Sequence, residues 1–143
     1  MKKNNKNNKG FSLVELIIVI AIMAILIGVL APQYLKFVEK SRKSTDKQNV
    51  DEIVRAIEIY AADPEVAAAD QVSTGAVVKI TTTSAAVSTT NATNNADKAL
   101  AAAGIGKLVL KSAKWSATTI DLTFTIDANG TVTVTATDPT ILE

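Results

Sequence analysis

The apolar and polar positions divide the chain into an N-terminal apolar run, a striped middle and an alternating end. Residues 13–31, LVELIIVIAIMAILIGVLA, are apolar throughout except for Glu15. A helix of about 20 such residues crosses a hydrocarbon layer of ~30 Å, so the run predicts a membrane-spanning helix. Nothing in residues 33–61 signals a break. Residues 39–49, EKSRKSTDKQN, are polar on every side and are expected to be solvated. Val50, Ile53, Val54, Ile57, Tyr60 and Ala61 then recur at the helical period and form one apolar stripe that must pack on something. Pro64 is the expected stop, because the residue before a proline avoids the helical region. Unbroken from Ser12 to Ala61, such a helix is roughly 75 Å long, from a rise of about 1.5 Å per residue.

The second half changes period. Residues 65–72 are expected to add one helical turn. Residues 73–96 are rich in Ser, Thr, Ala and Asn and read as a long surface loop, with a short strand at Val77, Val78 and Ile80. Residues 97–103 predict a short helix ended by Gly104. In 119–126, Ile120, Leu122, Phe124 and Ile126 alternate with polar residues, and in 131–137, Val132, Val134 and Ala136 alternate with threonines. Asp127-Ala128-Asn129-Gly130 between them is a turn sequence, so the two runs form a hairpin with one apolar face. Residues 107–115 are expected to supply a third strand. A sheet with one solvated face needs a cover on the other, and the stripe from Val50 to Ala61 provides it. The expected class is α+β: a long N-terminal helix whose amphipathic second half packs on a three- to four-stranded antiparallel sheet. The expected boundaries are a leader at 1–10, a membrane helix at 11–35 and a globular domain at 36–143. Within that domain the helix spans 36–62, a variable loop 63–104 and the sheet 105–138.

Charge sharpens the N-terminal picture. Residues 1–9 hold four of the fifteen basic residues and no acid. Without them the chain has eleven basic residues against fourteen acidic ones, and its formal net charge moves from +1 to −3. A basic start on a mildly acidic chain is a topogenic signal more than a nucleic-acid site. The leading lysines favour a cytoplasmic N-terminus, although Lys36, Lys40, Arg42 and Lys43 follow the apolar run closely and weaken the bias. Cysteine and histidine are both absent, which excludes disulfides, thiolate chemistry, imidazole bases and the usual zinc sites. No cofactor is expected.

The stretch Lys9-Gly10-Phe11-Ser12-Leu13-Val14-Glu15 carries the chemistry. An acid at the centre of a membrane helix costs ~2.5–3.5 kcal/mol, and less near its end, so Glu15 calls for a partner. A cut after Gly10 would create an ammonium on Phe11, the one cation available at that depth. Phe11 and Glu15 are i,i+4 neighbours within one helix, and the same two groups can meet between copies. Glycine lets a protease approach an extended backbone closely, although a glycine opening a helix also suits this position. A basic leader, Gly, Phe and a Glu five residues into the cleaved chain, followed at once by a long apolar helix, resemble the prepilin signal of type IV pilins and pseudopilins. The likeness covers roughly residues 1–35; the remainder is similar in layout only.

The resemblance implies a structural subunit of a type IV pilus and no enzyme. A prepilin peptidase would cleave between Gly10 and Phe11, and Phe11 would gain an N-methyl group. The subunit would rest in the cytoplasmic membrane with its N-terminus inside. It would then enter a homopolymer through its N-terminal helices, driven by a pilus assembly platform and its ATPase. Glu15 would meet the Phe11 amine of the next subunit and set the register. The extracellular filament would serve adhesion, motility or DNA uptake. Gly28 and Pro32 are expected to form a soft spot, since proline lacks the N–H that would bond the Gly28 carbonyl. The resemblance implies that the helix kinks or unwinds there in the filament, whereas a simple kink at the membrane surface also fits. Within the family, a pseudopilin of a type II secretion or competence machine and a minor pilin share the same N-terminus.

Two readings outside the family compete. Val29-Leu30-Ala31 looks like a signal-peptidase site, but the apolar run is long for a signal peptide, contains Glu15, and would place Pro32 directly after the cut. A membrane-tethered enzyme or calcium binder would need Asp121, Asp127 and Asp138 to converge. Each reads instead as a surface or turn-forming acid, and no catalytic arrangement or metal site stands out. Asn91-Ala92-Thr93 and Asn129-Gly130-Thr131 match the glycosylation sequon.

Overall fold

The computed structural model describes residues 10–81, 88–89, 94–106 and 108–143. Met1–Val38 and Glu39–Glu143 form two separate compact units. A single helix, α1, runs Leu13–Ala62 and contains Pro32. Its first part, in the first unit, exposes every large apolar side chain from Leu13 to Phe37. Residues 29–32 are helical. The rest of α1 lies in the second unit, where its apolar stripe becomes one side of a core.

That core is closed by four antiparallel strands in the order β2-β1-β3-β4, with β1 at Ala76–Thr81, β2 at Ser88–Thr89, β3 at Thr119–Ile126 and β4 at Val132–Ala136. Val50, Ile53 and Ile57 of α1 are fully buried with Val78, Ile80, Ile120, Leu122 and Phe124 of the sheet. Val54, Tyr60, Ile126, Val132 and Val134 pack around them, partly exposed. Each fully buried aliphatic or Phe side chain contributes ~1.5–3 kcal/mol, so this stripe-on-sheet packing is the main stabilising term of the domain.

The hairpin follows its turn sequence. Asp127 Oδ1 accepts from the N–H groups of Asn129 and Thr131, both at 2.8 Å. The Gly130 N–H donates to the Asp127 carbonyl at 3.0 Å, and Gly130 has φ +81°. A β-turn ended by a left-handed glycine gives a three-residue loop matched to the strand twist. A second helix, α2, spans Ala96–Ala102 and ends at Gly104, φ +73°. The Gly104 N–H bonds the Ala101 carbonyl and the Ile105 N–H the Leu100 carbonyl, the paired bonds of a Schellman cap.

Three features differ from the sequence reading. Residues 65–72 form turns and no helix. Residues 108–115 are not a strand; β1, inside the expected loop, holds that place in the sheet and pairs with β3 over six residues. The backbone amides of the 108–115 segment go elsewhere, which is the physical reason: that of Leu110 donates to Thr81 at the end of β1, while those of Lys111 and Ser112 donate to Asp46. Thirdly, residues 39–49 are not solvated all round. Asp46 is completely buried. Its carboxylate accepts from Lys111 N–H at 2.6 Å, Ser112 N–H at 2.9 Å and Trp115 Nε1–H at 2.8 Å. The Ser112 hydroxyl donates to Glu39, and Lys43 lies 4.4 Å from the centre of the Trp115 ring. Asp46 thereby fastens an irregular segment to α1 while Leu108, Leu110 and Trp115 enter the core.

Candidate processing and assembly site

The site begins where α1 begins. Ser12 precedes the first helical residue, and its carbonyl accepts from Leu16 N–H at 3.3 Å. Glu15 is the third residue of the helix, and its Oε2 accepts from the Ser12 N–H at 3.0 Å. A carboxylate that reaches back in this way supplies one half of a capping box. It satisfies a backbone donor that the helix leaves without a partner, and its charge lies at the positive end of the helix dipole. The Ser-x-x-Glu spacing before an apolar run signals this cap in the sequence. Reading Glu15 only as a partner for an amine misses it.

Phe11 is 94% exposed, so it does not pack on the first helical turn. A Cβ added to Gly10 would meet no described atom within 4 Å. Among the described residues, no close contact demands a glycine at residue 10. The Phe11–Ser12 peptide bond survives a cut after Gly10, and so the Ser12 N–H and its bond to Glu15 survive as well. Such a cut places the new ammonium one residue before the cap, beside a carboxylate already held at the helix end.

From residue 16 to residue 31 the helix is apolar on all sides. Its most apolar window has a mean hydropathy of 3.1 and none of it is buried. Residues 5–31 match the prokaryotic N-terminal methylation motif. That is the prepilin signature. It belongs to type IV pilins and pseudopilins and supports a precursor of that kind, a structural protein anchored in the membrane by this helix. The signature implies processing by prepilin peptidase and assembly by pilus-type machinery. No curated relative and no solved structure matches the chain.

The remaining acids named in the sequence do not converge. Asp121 lies 3.6 Å from Lys79 across the β1–β3 pair. Asp127 is the turn acid described above, and its carboxyl is held below the usual carboxylate range first by the Thr131 N–H. Asp138 is buried and caps a 3-10 turn, Pro139–Ile141. Its Oδ1 accepts from Thr140 Oγ1 at 2.6 Å and Thr140 N–H at 3.2 Å. Its Oδ2 accepts from Ser116 Oγ at 2.8 Å and Ser116 N–H at 3.0 Å. These bonds, led by the Thr140 hydroxyl, hold Asp138 well below the carboxylate range. Among the described residues no three His, Cys, Asp or Glu side chains gather in a group able to hold a metal. Asn129 of the second sequon lies in the exposed hairpin loop; Asn91 of the first lies outside the described residues.

Proposed function

We propose that the chain is the structural subunit of a type IV pilus, cut between Gly10 and Phe11, N-methylated on Phe11 and polymerised into a surface filament for adhesion, motility or DNA uptake. The observation that carries this reading is the first part of α1, joined directly to the prepilin signature and exposed over every large apolar side chain. A helix that is apolar all round is stable only when it is surrounded. Lipid of the cytoplasmic membrane surrounds it before assembly, and the same segments of other copies surround it afterwards. An assembly platform and its ATPase supply the work of moving it from one setting to the other.

Glu15 has two tasks in this account. In the single chain it caps α1; in the filament it neutralises the Phe11 ammonium of a neighbour in a medium where an unpaired charge is costly. Gly28 and Pro32 give the helix its extensible point. Two substitutions separate the tasks of Glu15. Glu15→Gln keeps an oxygen able to cap Ser12 but cannot neutralise the amine, and Glu15→Ala loses both functions. Both are expected to be cleaved and to accumulate in the membrane while the yield of sheared filaments falls steeply. Normal filament numbers from Glu15→Gln would reduce Glu15 to a helix cap. The abundance of the chain in sheared filaments tests its place in the family: a trace amount would make it a minor pilin or a pseudopilin.

A further inference from the structure

We propose that β4 pairs with β4 of a second copy across a two-fold axis through Val134, and so joins subunits of neighbouring filaments side by side; this rests on the filament reading above. β4 is an edge strand. The Asp127 N–H bonds the Thr131 carbonyl and the Thr137 N–H bonds the Asp121 carbonyl, with the β3–β4 register continuous between them. Antiparallel ladders alternate, so Thr131, Thr133, Thr135 and Thr137 direct their backbone groups to β3. Val132, Val134 and Ala136 direct theirs outward. Among the described residues no hydrogen bond reaches those outward groups.

Natural edges are guarded by charge, proline, bulges or shortness. At the opposite edge the described part of β2 spans Ser88–Thr89. Residues 131–137, TVTVTAT, contain no charge and no proline, and the pairing with β3 is regular from Val132 to Ala136. The pattern is also close to symmetric about Val134. Laid antiparallel on itself, it sets Thr131 against Thr137, Val132 against Ala136, Thr133 against Thr135 and Val134 against its own copy. The outward residues then fall on the hydrogen-bonded pairs, each exchanging both bonds. One face becomes threonine against threonine and the other valine against valine or alanine, both favourable cross-strand combinations. Val132, Val134 and Ala136 are only half-buried in the single chain and would gain cover.

A single such pair is far smaller than the ~1,200–2,000 Å² of a stable interface, so isolated domains remain apart. Repetition along two filaments turns a weak contact into a strong one. Two-fold pairing is closed. All subunits of a polar filament point the same way, so the contact links different filaments and not neighbours within one.

The test is electron microscopy of sheared filaments at low salt. The substitutions fall on Thr133 and Thr135, which are exposed and oppose each other in the proposed pair. Wild-type filaments are expected in lateral bundles. T133K/T135K filaments and T133E/T135E filaments should each be single, the mixture of the two should bundle again, and T133K/T135E should bundle by itself. Because the chain has no cysteine, Val134→Cys should also give a disulfide-linked dimer on mild oxidation, since directly opposed Cα atoms lie about 5.5 Å apart. Thr125→Cys on β3 should not. Wild-type filaments that stay single, lysine variants that still bundle, or a mixture that stays dispersed would overturn the pairing and leave the filament reading intact. Bundles held by another protein would ignore the charge matching and overturn it as well. Absence of any filament would sink both.

Discussion

Replacing Asp46 should damage the domain more than any other single polar change in residues 39–49. Its carboxylate takes three donors, one at Oδ1 and two at Oδ2, and it has no exposed surface. Asp46→Ala leaves the N–H groups of Lys111 and Ser112 and the Trp115 indole N–H without their acceptor. An unsatisfied buried donor costs ~1–3 kcal/mol. Water entering the vacated space restores some of these bonds, so the net loss is about 3–5 kcal/mol, the range for breaking a buried charged network. That is a large share of the ~5–15 kcal/mol that holds a domain. Asp46→Asn keeps the shape but points an NH₂ at donors, and should lose about 2–4 kcal/mol by the same reasoning. The assay is urea unfolding of the fragment from residue 36 onward, followed by fluorescence of Trp115, the sole tryptophan. The indole bond is also lost, so the folded-state emission should shift before any unfolding. An Asp46→Ala midpoint that matches the parent to within ~0.5 kcal/mol, the range of ordinary surface changes, would refute the argument.

The same fragment is expected to be a soluble folded monomer at ordinary concentrations, as the compact unit Glu39–Glu143 implies. In it, Ile53→Ala and Phe124→Ala should each cost roughly 2–5 kcal/mol through cavity formation, and unaltered melting in both would mean that the stripe does not cover the sheet. Asp127 and Asp138 have carboxyls held below their ordinary range, so their contribution is complete above the unfolded carboxylate value of ~3.9 and is lost as pH falls through the folded values. Stability should therefore be level on this account near neutrality and decline below about pH 4, with a shallower decline in Asp138→Ala; an unchanged slope in that variant would remove Asp138 from the explanation.

The prepilin signature was legible because it lies in contiguous residues: the basic leader, Gly10, Phe11, Glu15 and the apolar run need no tertiary contact to be read. The stripe at Val50, Ile53 and Ile57 and the alternation in 119–126 and 131–137 were legible for a related reason, since each period reports the face that the fold buries. A short strand was expected at Val77, Val78 and Ile80 and β1 forms there, but the third strand expected from residues 107–115 does not form across 108–115, and β1 takes the place beside β3. Both hold short apolar runs among polar residues, and period alone does not say which run will pair with β3. Asp46 was hidden by its neighbours. It sits among lysines, serines and glutamine, and its three donors lie 65 to 69 residues further along the chain. The cap at Ser12 and Glu15 was visible as a spacing, but an intramembrane acid draws attention to partners outside its own turn.

The central claim is tested most directly by the intact mass of the subunit recovered from sheared surface filaments. The account predicts a single species that begins at Phe11, lacks residues 1–10 and carries the added mass of one N-methyl group. A filament subunit that retains Met1, or a surface protein that begins at Pro32, would contradict it.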